Sequence, residues 1–118
     1  ITEVKGIRGP LAAPEAKKGF FGLGSTPAEV KVIYDIFHQQ VMEGNIITNI
    51  TNNLDCIAHI HCAGHPGRNE LQYGENDYKV IFNEVDKAGY KGCYSLEYWP
   101  LLPPVESLET FKKIYMNK

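Results

Sequence analysis

The chain is organised around the stretch His59-Ile60-His61-Cys62-Ala63-Gly64-His65-Pro66-Gly67-Arg68-Asn69-Glu70. An apolar run from Cys56 to Ile60 leads into it and a Pro-Gly turn lies within it, as expected where a buried strand gives way to a loop. Three imidazoles, one guanidinium and one carboxylate within these twelve residues are a dense set for a surface turn. A loop of solvated histidines is the alternative interpretation. The residues on either side of the stretch argue against it.

Similar apolar runs flank this stretch, and each is followed by a segment with helical spacing. The predicted strands are Val30–Asp35, Cys56–His61 and Gly92–Trp99. The predicted helices are a segment whose apolar residues run from Met42 to Leu54, Tyr78–Ala88 between an Asp77 N-cap and Gly89, and Val105–Met116. This alternation predicts an α/β fold with parallel strands joined by helices. Three such units cannot close an eight-stranded barrel, which needs ~200 residues or more.

The 118 residues divide into two parts of different character. Glycine and proline punctuate residues 1–29, which we interpret as an irregular lead-in. A short strand, Ile1–Ile7, and a helical turn near Ala12–Lys18 are the regular structure that this part could contain. Residues 30–118 hold the predicted α/β units.

Composition restricts the classes of function. Apolar residues make up 43% of the chain and charged residues 22%, which is typical of an ordinary globular protein, and the net charge is −2. This balance gives no reason to expect nucleic acid or an anionic membrane as a partner. The sequence has no apolar run of the roughly 20 residues needed to span a bilayer, and no signal-peptide pattern. Three cysteines without C-x-x-C spacing do not form a disulfide framework, and a cytoplasmic location is expected.

Three ligand-type side chains end the three predicted strands. Asp35, His61 and Glu97 each stand at the C-terminal end of a strand, and in parallel α/β folds these ends meet at one edge of the sheet. Two carboxylates and a neutral imidazole form a hard, mostly oxygen site that suits Mg²⁺ or Mn²⁺ and tolerates Co²⁺. The sequence therefore predicts a site for a divalent metal. Burying the Glu97 carboxylate without a partner would cost free energy, which favours this interpretation.

Two further polar residues lie near these strand ends. His38 follows Asp35 by one turn, and Arg68 lies beyond the Pro66-Gly67 turn, where it could hold an anionic or hydroxyl-bearing substrate. Structural hydrogen bonding is the simpler interpretation of each. We place His59 on the face of its strand opposite to His61, in the core or behind the site.

Several stretches together resemble hydroxypyruvate isomerase. They are Val30–His38 with Gln40–Asn45, His59–Glu70, Gly89–Gly92 and Leu96–Pro100. The resemblance runs from about Gly19 to the C-terminus. That family belongs to the xylose isomerase-like TIM barrels, so the resemblance implies that this chain is the C-terminal part of a TIM (β/α)₈ barrel, its last three βα units.

The resemblance also implies roles for individual residues. Asp35, His61 and Glu97 match the metal-ligand positions, and Glu97 also matches the residue that moves a proton. His38 and Arg68 match substrate contacts of the related epimerases, and we group Glu70 with them as a substrate-binding residue. The implied reaction converts hydroxypyruvate to tartronate semialdehyde, an aldose–ketose isomerisation of a small hydroxycarbonyl compound through an enediolate.

One part of the family pattern is not found. No Leu-Glu-Pro-x-Asn-like segment lies upstream of Gly19, so a fourth ligand, a second acid/base glutamate and the first five βα units are expected to be missing. An inactive barrel remnant is therefore an alternative, with weak metal binding or association into an oligomer or with an N-terminal barrel half. A sugar epimerase of the same superfamily is another. Endonuclease IV chemistry is a third, and the acidic balance argues against it.

Overall fold

The computed structural model describes residues 30–117, which form a three-stranded parallel sheet. The strands are β1 (Val32–Asp35), β2 (Ile57–Cys62) and β3 (Tyr94–Leu96), in the order β1-β2-β3. The predicted α/β class with parallel strands is confirmed. The irregular lead-in over residues 1–29, with its possible strand and helical turn, lies outside the described residues.

The helices connect the strands in the predicted alternation. They are α1 (Ile36–Met42), α2 (Ile46–Thr51), α3 (Tyr78–Lys87) and α4 (Pro104–Phe111), and α4 continues as a π-helical segment, Lys112–Met116. Short 3₁₀ turns cover Leu54–Cys56 and Leu71–Tyr73. Over residues 30–117, every helix is too short or too polar to cross a bilayer.

The first connection differs from the single helix predicted between Met42 and Leu54. The helix begins at once after β1 and is interrupted after Met42, where Gly44 and Asn45 both have positive φ, 68° and 51°. Two successive left-handed residues cannot continue a right-handed helix, so the chain turns and restarts at Ile46. The apolar spacing was correct, but the Gly-Asn pair divides it between two short helices.

The ends of α3 follow the prediction. Asp77 caps the helix, with its Oδ1 accepting hydrogen bonds from Lys79 N at 3.1 Å and Val80 N at 3.2 Å. Gly89 has a φ of 104° just after the helix, a conformation that side-chain-bearing residues rarely adopt. The sequence thus sets both limits of the helix that leads from β2 to β3.

The third strand is shorter than the predicted Gly92–Trp99. Only Tyr94–Leu96 pair with β2, and two flanking bonds join Ile60 N to Cys93 O at 3.3 Å and Glu97 N to Cys62 O at 3.0 Å. Beyond that point β2 has ended, and Trp99 N donates instead to Arg68 O at 2.9 Å. The segment after Glu97 therefore leaves the sheet and follows the loop that succeeds β2.

The hydrophobic core lies between one face of the sheet and the helices. Buried residues of β1 and β2 contact buried residues of α2 and α3; the central ones are Val32, Tyr34, Ile60, Cys62, Ile50, Ile81 and Val85. Full burial of each large apolar side chain stabilises the fold by roughly 1.5–3 kcal/mol. This face fixes the register of the strands, and with it the positions of the residues at their C-terminal ends.

The opposite face of the sheet carries polar side chains and the half-exposed Ile33. His59 lies on this face together with His61, with ring centroids 5.2 Å apart, so its predicted position on the other face is wrong. Residues two apart on a strand point the same way. His59 Nε2 is 2.7 Å from Ser95 Oγ on β3, and the pair forms a polar layer beneath His61.

Candidate functional site

Asp35 stands where β1 becomes α1. Its Oδ1 accepts a hydrogen bond from His38 N at 3.1 Å, which caps the helix and fixes the carboxylate. Only 1% of the side chain is exposed. Because Oδ1 is occupied by the cap, Oδ2 is the oxygen that Asp35 presents to the neighbouring strand.

His61 lies directly beside Asp35 in the register of the parallel strands. Its Nδ1 is 3.7 Å from Asp35 Oδ2 and 3.5 Å from Glu97 Oε2, both too long for a hydrogen bond. This nitrogen is buried and has no hydrogen-bond partner among the described residues. A buried polar atom that faces two carboxylates without bonding either one marks a position for a shared ligand.

Glu97 follows β3 and reaches the same point from the other side of β2. Half of its side chain is exposed, at 50%, so it closes the site toward solvent. One ligand atom from each of Asp35, His61 and Glu97 lies within 4.8 Å of the others. The structure thus brings together the three residues that the sequence placed at the strand ends.

Arg68 enters this group from the loop after β2. Its Nη2 donates to Asp35 Oδ2 at 3.1 Å and to Glu97 Oε2. Its guanidinium also lies over the ring of Phe37, with Cζ 4.8 Å from the ring centroid, a cation–π contact. We refer to Asp35, His61, Arg68 and Glu97 as the strand-end cluster.

The loop that carries Arg68 is fixed at its start. Tyr78 OH donates to Ala63 O at 2.9 Å and accepts from Ala63 N at 3.1 Å, and burial raises the pKa of this hydroxyl. Gly64 N donates to Asn69 O at 2.8 Å, which closes the turn. A Cβ on Gly64 would come within 2.5 Å of Glu70 O, so only glycine fits this approach.

Glu70 faces away from the strand-end cluster. Its carboxylate accepts hydrogen bonds from Leu101 N and Leu102 N, each at 3.0 Å, and from Ser107 Oγ at 2.9 Å. The residue is 1% exposed, so these donors replace water. We call this group of Glu70, Leu101, Leu102 and Ser107 the anchor. It binds the loop to the segment that follows Glu97. A substrate contact through Glu70 stays a prediction.

The pKa of Glu70 reflects two opposed effects. Burial raises the pKa of the carboxyl, and the hydrogen bonds from Leu101, Leu102 and Ser107 lower it. The net result is a pKa below its ordinary value. Glu70 is therefore held as a carboxylate by fixed donors of this chain, which is the signature of a structural acid.

The predicted substrate contact His38 lies at the edge of the site. Its ring stands edge-on to Phe37, with centroids 5.3 Å apart, and that ring also supports Arg68. A substrate contact through His38 stays a prediction. His65, in the loop after β2, packs on the same Phe37 ring, and its Nδ1 is 2.6 Å from Glu75 Oε2.

Two supporting residues were missed from the sequence. Phe37 has no distinguishing signal, because one aromatic residue after a strand is usually a core residue. Asn69 donates from Nδ2 to Trp99 O at 2.8 Å, next to the bond between Trp99 N and Arg68 O. Asn69 lies between Arg68 and Glu70, which both have roles predicted from the sequence, and this position was the available signal.

The donor set could hold a divalent cation. Two carboxylates and an imidazole are ligand types that divalent cations accept in proteins, and the unpartnered His61 Nδ1 supplies the nitrogen. Cys62 is adjacent but points into the core, where burial and then Asp35 raise the pKa of its thiol. A thiolate ligand is therefore not offered, and a soft-metal site does not fit.

Comparison with known proteins agrees with this geometry. A family model for the xylose isomerase-like TIM barrel matches residues 20–114, which confirms the resemblance drawn from the sequence. The chain is 37% identical over 73 residues to a 2-oxo-tetronate isomerase of Cupriavidus necator, covering 62% of this chain and 28% of that protein. It is also 37% identical over 71 residues to the hydroxypyruvate isomerase of Escherichia coli, covering 60% of this chain and 28% of that protein.

A solved structure with the same arrangement is the AP endonuclease, family 2, of Brucella melitensis. It superposes with a TM-score of 0.67 at 28% identity, over 72% of this chain and 33% of that one. This chain therefore spans about three tenths of the length of the curated relatives it matches and a third of that structure. The three βα units described above correspond to one part of a barrel.

Proposed function

This chain belongs to the xylose isomerase-like TIM barrel family, and we propose that it supplies the metal-binding strand ends of an aldose–ketose isomerase acting on small 2-oxo acids such as hydroxypyruvate. The observation that carries the proposal is the convergence of Asp35, His61 and Glu97 from three separate strands within 4.8 Å. The names of the two relatives support the isomerase class. Because the chain spans 28% of each, the activity is proposed for the whole protein.

Asp35, His61 and Glu97 would hold a divalent cation, Mg²⁺ or Mn²⁺, with Co²⁺ tolerated. Such a cation supplies a Lewis acid that polarises the substrate's carbonyl and the hydroxyl beside it. The helix cap on Asp35 Oδ1 orients Oδ2 toward the position of the cation. The register of β1 and β2 holds His61 beside Asp35.

Glu97 is the residue best placed to move the proton. Its side chain is half exposed at the mouth of the site, whereas Asp35 is buried and tied to α1. In the proposed reaction, Glu97 takes a proton from the carbon that carries the hydroxyl and returns it to the former carbonyl carbon. The hydroxyl proton passes to the former carbonyl oxygen as the double bond shifts through an enediolate, so that hydroxypyruvate becomes tartronate semialdehyde with no change in atom count.

Arg68 accounts for the proposed preference for an acid. Its guanidinium has a planar fork that binds a carboxylate through two parallel hydrogen bonds, and it already reaches the strand ends. Hydroxypyruvate and 2-oxo-tetronate, the compounds in the relatives' names, both carry a carboxylate beside the ketone. We propose that Arg68 binds this carboxylate and that His38 contacts an oxygen at the reacting carbon.

An endonuclease role, suggested by the solved structure that superposes on this chain, is less well supported. Residues 30–117 contain one group of three possible metal ligands, and the net charge of the chain is −2. Binding along a DNA backbone depends on neutralising phosphates with clustered lysine and arginine. The small-acid isomerase therefore remains our proposal.

The test is proton exchange of hydroxypyruvate in D₂O with Mg²⁺ and the whole protein, followed by ¹H NMR as loss of the hydroxymethyl signal. Removing the proton-transferring carboxylate with Glu97→Gln is expected to slow exchange by about 10²–10⁴-fold. Glu106→Gln, which alters an exposed carboxylate of α4, is the matched control and should leave the rate unchanged. Equal rates for wild type and Glu97→Gln would contradict the proposal.

A further inference from the structure

Arg68 compensates the two carboxylates that the proposed metal would bind. Its Nη2 donates to Asp35 Oδ2 at 3.1 Å and also to Glu97 Oε2. These are the same two oxygens that face His61 Nδ1, at 3.7 and 3.5 Å. One nitrogen of the guanidinium therefore lies against the oxygens that a divalent cation would need.

A divalent cation and this arrangement of Arg68 exclude one another. A metal ion on Asp35 Oδ2 and Glu97 Oε2 would lie a few ångströms from the guanidinium. At that separation, in a site whose Asp35 is 1% exposed, two positive charges repel strongly because little water screens them. The metal ion and the guanidinium therefore compete for the shared oxygens.

The Arg68 side chain is the part that can move. Its backbone is held, because Trp99 N donates to Arg68 O at 2.9 Å and Asn69 O accepts from Gly64 N at 2.8 Å. Nη1, in contrast, is buried and has no hydrogen-bond partner among residues 30–117. The guanidinium thus bonds through Nη2 while its other amino group is unused, although a planar fork can engage a carboxylate with both.

Phe37 keeps the guanidinium in this position. Arg68 Cζ lies 4.8 Å from the Phe37 ring centroid. Phe37 is the second residue of α1, two positions after the Asp35 cap. The guanidinium therefore lies over the Phe37 ring, and a change of the Arg68 rotamer would move it off that ring.

We propose that Arg68 is an internal counter-cation that the metal ion displaces, after which the released guanidinium binds the carboxylate of the substrate. This inference rests on the proposed function, since it takes the strand-end cluster as the metal site and a 2-oxo acid as the substrate. It adds an order to binding. The metal enters first, and the carboxylate is bound by an arginine that was occupied before.

The test compares the affinity for Mn²⁺ of the full chain and its variants by calorimetry. Arg68→Gln removes the competing charge, so its Kd for Mn²⁺ should fall at least about tenfold. Lys87→Gln is the matched control: Lys87 pairs with Glu84 at 3.1 Å at the end of α3, away from the strand ends, and its removal should leave the Kd unchanged.

A second variant keeps the test independent of any folding defect. Phe37→Leu retains Arg68 and every ligand but removes the ring beneath the guanidinium, so the Kd for Mn²⁺ should fall by a smaller factor of about three. Urea unfolding in EDTA gives a further readout. Without metal, Arg68→Gln should unfold at a lower urea concentration than wild type. Mn²⁺ should raise the urea midpoint of Arg68→Gln by more than it raises that of wild type.

The outcomes separate this inference from the proposed function. If wild type binds Mn²⁺ and both variants bind it equally or more weakly, Arg68 orients the ligands instead of competing with the metal, and the inference is overturned while the metal site stands. If neither wild type nor the variants bind Mn²⁺, the metal site fails and the inference fails with it. Tighter binding by Arg68→Gln and Phe37→Leu, with Lys87→Gln unchanged, supports displacement.

Discussion

Two charged residues two positions apart in the same loop, the partly buried Arg68 and the buried Glu70, have opposite surroundings. In the anchor, the Glu70 carboxylate is bonded by three donors of this chain, and its pKa is lowered as a result. In the strand-end cluster, Arg68 Nη1 and His61 Nδ1 are buried with no hydrogen-bond partner in the described part of the chain. Satisfied polar groups stabilise a fold, and buried unsatisfied ones are available to a ligand.

The largest effect is expected from breaking the anchor. Glu70→Ala leaves Leu101 N and Leu102 N without their acceptor and removes one of the two hydrogen-bond partners of Ser107 Oγ, the other being Tyr98 OH. We expect a loss of about 3–5 kcal/mol in the free energy of unfolding. Urea denaturation measures it. Glu109→Ala, an exposed acid on α4, is the control and should change stability by less than about 0.5 kcal/mol. A similar small change for Glu70→Ala would show that the anchor is not structural.

The anchor should also make stability depend on pH. Because the pKa of Glu70 is lower in the folded state, its contribution is fully present above the unfolded value of about 4.3. That contribution is lost as pH falls through the folded pKa. Urea unfolding between about pH 6 and pH 3 should therefore show a flatter pH dependence for Glu70→Gln than for wild type. Parallel curves for the two proteins would exclude Glu70 as the source.

The smallest change in stability is expected within the strand-end cluster. His61→Leu replaces a ring whose Nδ1 has no partner by an apolar side chain, so the free energy of unfolding should change by less than about 1 kcal/mol. The same substitution should weaken Mn²⁺ binding at least about tenfold, because one ligand is lost. Strong destabilisation by His61→Leu would remove the contrast between the two regions.

The sequence was sufficient to predict the strand ends. Parallel βα units place Asp35, His61 and Glu97 at one edge of the sheet whatever the details of the helices between them. The limits of α3 were equally accessible, because an N-cap aspartate and a left-handed glycine act locally. The family resemblance gave the same residues independently.

Other features depend on contacts that no local pattern records. The anchor uses the backbone N–H groups of Leu101 and Leu102, which every non-proline residue possesses, so the hydrogen-bond partners of Glu70 could not be predicted from the sequence. The early end of β3 follows from where β2 ends, which is a tertiary constraint. The position of His59 was a different case, since the two-residue period of a strand should have placed it beside His61.

The metal site is tested most directly by a Mn²⁺ titration of this chain by calorimetry, with Asp35→Asn and Glu97→Gln alongside Glu106→Gln as the control. If the three strand ends form one site, wild type and the control bind one Mn²⁺ per chain, and each ligand variant binds it at least about tenfold more weakly. Absence of binding to wild type, or unchanged binding to Asp35→Asn and Glu97→Gln, would contradict the claim that the three strand ends form one metal site.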